Sequence, residues 1–139
     1  MDKIFFKKSQ FLLPVLLMAL IFVFSSIPVP IDQNKPNFFI FLNPGIQNLL
    51  HIPLFGILSY FWIRALTISK HLDWKKIFVA LIALSAFGCL DEFHQTFVPG
   101  RYGSFLDIIL NFIGIVLGIF FFCKKYNKTN KSPDQKIAD

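Results

Sequence analysis

The chain has 139 residues, 55% of them hydrophobic and 19 of them phenylalanine, with a formal net charge of +6. That length allows one domain. So apolar a composition argues against a soluble all-helical core, because the polar surface is too small to solvate the helices it implies.

Four apolar blocks run along the chain, at Phe11–Ile27, Ile46–Ile68, Ile77–Val98 and Ser104–Cys123. Each is long enough to cross a bilayer, which takes about 20 residues as a helix. None alternates with period two over a barrel-strand length, so helices are preferred to a barrel. The predicted fold is an all-α membrane protein, a four-helix transmembrane bundle over residues 1–123. A charged tail at 124–139 is expected to be disordered.

Block one follows Lys3, Lys7 and Lys8, and its Pro14 falls where the first turns of a helix tolerate it. The sequence Phe24–Pro30 matches a small-residue cleavage site poorly, so a retained anchor is favoured over a removed signal peptide. Phe38–Leu42 is too short to span and is expected in the outer interface, with Asn43-Pro44-Gly45 turning the chain into block two. Pro53 is expected to kink block two one turn below its outer end and to free a carbonyl there.

Basic residues set the orientation. The N-terminus, the connection carrying Arg64, Lys70, Lys75 and Lys76, and the tail carrying Lys124, Lys125, Lys128, Lys131 and Lys136 share one side of a four-span topology. Only Lys35 and Arg101 fall on the other. Basic loops stay cytoplasmic, so both termini are expected in the cytoplasm. The net charge is thereby explained by topology and anionic lipid headgroups, without nucleic acid. Cys89 and Cys123 lie at different depths, which rules out a disulfide, and are read as small packing residues.

The segment Asp91–Arg101 carries two carboxylates, a histidine and a glutamine at the end of an apolar run. Ionisable groups within a membrane span are costly and are functional candidates by default. At helical spacing Ser85, Gly88, Cys89, Glu92, Gln95 and Thr96 share one face of block three, with Asp91 at its edge and His94 toward the rim. Ser104, Asp107, Asn111, Gly114 and Gly118 form one stripe of block four. The two glycines make a small-xxx-small pattern that admits another helix, and block three is expected to be that neighbour. Asn48, His51, Phe55 and Ser59 share a face of block two. His51, Asp91, Glu92, Asp107 and Asn111 all lie within roughly 10 Å of the outer ends of their helices. They are expected to line one outward-open pocket, with Arg101 above it. The alternative is structural: an acid paired with Arg101 locks the hairpin, while Asp107 caps block four.

The C-terminal hairpin resembles the VanZ-like family of small membrane proteins. The matching residues are Asp91, Glu92 and Gln95, then Phe97, Pro99, Gly100 and Arg101, then Ser104 and Asp107, then Asn111 and Gly114. Block two matches a second family pattern at His51 but carries Asn48, Ile52 and Phe55 where the pattern has lysine, an aromatic and tyrosine. The resemblance implies a bacterial cytoplasmic-membrane protein acting at the cell envelope, in a family named for a protein linked to teicoplanin resistance. It supplies no reaction.

Two functions lead, with a proton- or ion-coupled transporter as a further alternative. One is a binding protein whose pocket of His51, Asp91, Glu92, Gln95, Arg101, Ser104, Asp107 and Asn111 holds the headgroup of a lipid-linked envelope precursor or a lipophilic glycopeptide. The other is an enzyme acting on a lipid headgroup, with Glu92 or Asp91 as general base, Asp107 as a further candidate, and Arg101 and Asn111 stabilising negative charge. No cofactor is assigned. A metal set of His51 or His94 with Asp91, Glu92 and Asp107 is an unspecific signal, and no metal is assigned either.

Overall fold

The computed structural model describes residues 9–29, 48–67 and 72–130. Four helices and no strand occur among them: α1 (Leu12–Ser25), α2 (His51–Thr67), α3 (Trp74–Gln95) and α4 (Phe105–Asn130). The interfacial segment Phe38–Leu42, the turn at Asn43-Pro44-Gly45 and the far end of the tail lie outside the described residues.

Helices α3 and α4 are long and apolar enough to cross a membrane by length and composition. Their outward faces are apolar: Val79, Leu90, Phe93, Phe112 and Phe120 all stand exposed. The inward faces carry the polar groups Asp91, Glu92, Gln95, Asp107 and Asn111. This is the reverse of a water-soluble helix. At the end away from these acids, α3 begins at Asp73, whose side chain accepts from the Lys75 amide at 3.2 Å.

The helices alternate in direction. Phe11 at the start of α1 meets Trp62 near the end of α2. Ser25 at the end of α1 reaches Asp91 near the end of α3. His51 at the start of α2 meets Asn111 in α4, and Leu72 beyond α2 meets Tyr126 far along α4. Thus α2 and α4 run parallel, and α1 and α3 run against them. One end of the bundle gathers Ser25, His51, Asp91–Gln95 and Ser104–Asn111.

The tightest packing joins α2 to α4. A Cβ on Gly118 would meet the Gly56 carbonyl oxygen and Ser59 Oγ, and one on Gly114 would meet the Ile52 carbonyl. The Ser59 hydroxyl lies 3.0 Å from the Ile115 carbonyl and donates to it across the interface. The glycine stripe therefore seats α2, not α3 as its sequence position suggested. Periodicity shows that a helix face is small but not which neighbour fills it. Around this seam Phe55, Leu58, Ile63, Leu84, Ile115 and Phe122 form the apolar core.

Pro53 sits in the first turn of α2, just after a break in the helix at Leu50, and its missing N–H costs no bond within His51–Thr67. Two further expectations change. Helix α4 continues to Asn130, so residues 124–130 are helical rather than disordered. Cys89 faces outward and is exposed, because the inward face of α3 runs through Ala80, Leu84, Gly88, Asp91, Glu92 and Gln95.

Candidate functional site

Glu92 stands at the centre of the polar end. Its Oε2 accepts the backbone N–H of Ser104 at 3.1 Å, and its Oε1 accepts from Gln95 Nε2 at 3.3 Å. Ser104 immediately precedes α4, and its carbonyl accepts from the Asp107 and Ile108 amides. Glu92 therefore occupies a helix N-terminus, where partial positive charge favours a carboxylate. The tight loop at 96–104 makes this possible by folding α4 back against α3. Within that loop Gly100 has φ +75, and a Cβ on it would meet the Val29 carbonyl.

His51 lies between α3 and α4. Its Nδ1 is 2.8 Å from Asn111 Oδ1, a bond that requires the proton on Nδ1, and 3.8 Å from Glu92 Oε1. A carboxylate oxygen of Asp107 completes the group: ligand atoms of His51, Glu92 and Asp107 all lie within 4.8 Å of one another. Asp107 is 6% exposed, and its Oδ1 has no hydrogen-bond partner among the described residues. The Asn111 Nδ2 is likewise buried without a partner there. Buried polar atoms left unpaired are costly, so each calls for an explanation.

Asp91 belongs to the other side of the network. Its Oδ1 accepts from the Ser25 hydroxyl at 2.6 Å, and its Oδ2 accepts from Gln95 Nε2 at 3.2 Å. His94 stacks on Phe22 and shares a hydrogen bond with Ser26 Oγ, so it faces α1 and stands apart from the acids. Arg101 donates from Nε and a terminal nitrogen to the carbonyls of Ile27 and Phe24, the bare end of α1. Burial lowers the Arg101 pKa, and the nearby charges of Asp91 and Glu92 oppose that shift.

The sequence-derived residues thus meet at one end of the bundle, from α2, α3, α4 and the hairpin loop. Sequence reasoning missed Ser25 and Ser26, although a polar pair closing an apolar block is a readable signal. The cluster is sealed: Asp91, Glu92, Gln95, Asp107 and Asn111 are each buried, and His51 is its partly exposed edge. The polar atoms of Asp91 and Glu92 are committed to partners, whereas Asp107 keeps an oxygen in reserve.

A groove of about 360 Å³ opens beside this cluster and is almost wholly apolar. Ile52 and Pro53, directly after His51, line one part of it, and Gly56, Ile57, Tyr60, Phe61, Leu117, Gly118 and Phe121 line the rest. It follows the α2–α4 seam for roughly 14 Å at the helical rise per residue. None of the polar cluster lines it: among the described residues the acids and amides expected around an outward-open pocket form a buried network beside an apolar channel.

The chain belongs to the VanZ/LLP1 family, whose model matches residues 9–126. Neither the curated proteins nor the solved structures contain a match.

Proposed function

We propose that this VanZ/LLP1 protein is a four-span protein of the bacterial cytoplasmic membrane, with both termini cytoplasmic, that binds a lipid-linked component of the cell envelope. One observation carries the reading: the apolar groove along α2 and α4 begins at the residue after His51, the exposed edge of the buried polar cluster. That juxtaposition suits an amphiphile with a polar headgroup and a long tail. The tail lies over Gly56, Ile57, Tyr60 and Phe61, and the headgroup sits near His51; Phe97 and Tyr102, in and beside the loop between α3 and α4, stand exposed. Aromatic side chains of this kind favour the level of lipid headgroups. Binding of this kind shields the component or the drug that targets it, in keeping with the resistance role for which the family is named.

The test is the set of lipids that stay with the purified protein. Mass spectrometry of protein extracted from bacterial membranes should find a prenyl-linked species enriched over bulk phospholipid. Replacing Ile57 with tryptophan, which fills the groove, should remove it. Recovery of phospholipids alone, in membrane proportions and from both proteins, would defeat the proposal. Added teicoplanin that displaces the lipid would identify the acylated drug as a second occupant of the same groove.

A further inference from the structure

We infer that His51, Glu92 and Asp107 form a binding site for one divalent cation. The inference does not depend on lipid binding; it rests on the geometry and charge of the buried cluster. Metal–ligand distances run from roughly 2.0 to 2.6 Å, so two ligands of one ion lie at most about 5 Å apart. The ligand atoms of these three residues fall within 4.8 Å of one another. Asn111 Oδ1 lies 2.8 Å from His51 Nδ1, a separation that two adjacent ligands of one ion adopt, and it makes a fourth donor.

A second observation is independent of the clustering. Asp107 is more than nine-tenths buried, and its Oδ1 has no hydrogen-bond partner among the described residues. A carboxylate oxygen held in that way is short of a cation or a proton. The neighbouring acid Glu92, by contrast, is held in place by the Ser104 amide and Gln95. Such bonds orient a ligating carboxylate and leave its remaining lone pairs available.

Charge favours the same conclusion. Two carboxylates of like sign, shielded from water, repel one another and need a compensating charge. A divalent ion supplies two units at once. One imidazole with carboxylate and amide oxygens suits manganese or zinc. With the ion bound, His51 binds it through an unprotonated Nδ1, and the proton now shared with Asn111 moves to Nε2 or to solvent.

Protein purified in detergent, stripped with EDTA and titrated separately with Mn2+ and Zn2+ tests the site. Saturable uptake of about one ion per chain is expected for at least one metal. The Mn2+ form should show coupling to an imidazole nitrogen in pulsed electron paramagnetic resonance. Asp107→Asn should weaken binding at least tenfold, while His94→Ala, outside the cluster, should leave it unchanged. No saturable uptake of either ion by the wild type would overturn the site. So would uptake that Asp107→Asn leaves unaltered. Should that variant fail to fold, the wild-type spectrum decides alone, and a Mn2+ signal without nitrogen coupling rejects His51 as a ligand.

Discussion

Gly118 in α4 lies against the backbone of Gly56 in α2 so closely that no Cβ fits between them. Because α2 and α4 run parallel, this contact sets both their depth and their register. It brings His51 level with Asn111, and Ile52 level with Gly114. The seam therefore positions the polar cluster from one side, as the hairpin loop does from the other.

Gly118→Ala should consequently destabilise the protein by about 1–3 kcal/mol, the usual range for overpacking a filled interface. Thermal unfolding in detergent measures it, with Ile113→Ala on the exposed face of α4 as the control. An unchanged melting temperature in Gly118→Ala would mean that the two backbones leave room for a Cβ.

The Ser25–Asp91 hydrogen bond ties α1 to α3. Ser25→Ala leaves a buried carboxylate oxygen with one partner fewer, at a cost of about 1–3 kcal/mol. Adding Asp91→Asn to it should recover part of that loss, since a neutral amide is less costly to leave unpaired. A double-mutant cycle in the same melting experiment gives the coupling, and strict additivity would argue that the two side chains do not interact.

Glu92→Gln and Asp107→Asn separate function from scaffolding. Both keep the size of the side chain and remove its charge. Membrane abundance close to wild type, with loss of the copurifying lipid and of any drug-resistance phenotype, is the outcome expected for a functional cluster. A parallel fall in abundance and phenotype would point to a structural role.

Orientation is open to a direct assay. Reporter fusions placed after Leu42 and Gly103 should behave as external, and those after Ser69 and Asp139 as cytoplasmic, following the distribution of basic residues. Inverted activity at either terminus would contradict the proposed topology.

Much of the cluster was legible because helical spacing alone assigns residues to faces. Glu92, Gln95, Asp107, Asn111 and His51 could each be placed inward and at a common depth without any structure. Which helices touch was less legible, because contacts between elements distant in sequence leave no periodic trace. The glycines of α4 thus gave their close approach but not their partner. Arg101 illustrates a second limit. Its charge suggested an answer to the acids, yet backbone carbonyls at the end of α1 compete for the same donors, and sequence cannot weigh that contest. The burial of the acids was not legible either, since it depends on how α1 closes over α3.

Since every helix lends a group to the buried polar end, no shorter portion of the chain can complete it. While α4 is still being synthesised, Glu92 lacks the Ser104 amide and His51 lacks Asn111. A truncated product would then hold the Glu92 carboxylate in an apolar setting without the amide that caps it, which is costly. The last helix to arrive therefore both completes the hydrogen bonds of the earlier ones and brings a further acid, Asp107, so the polar end takes its final form only when α4 packs.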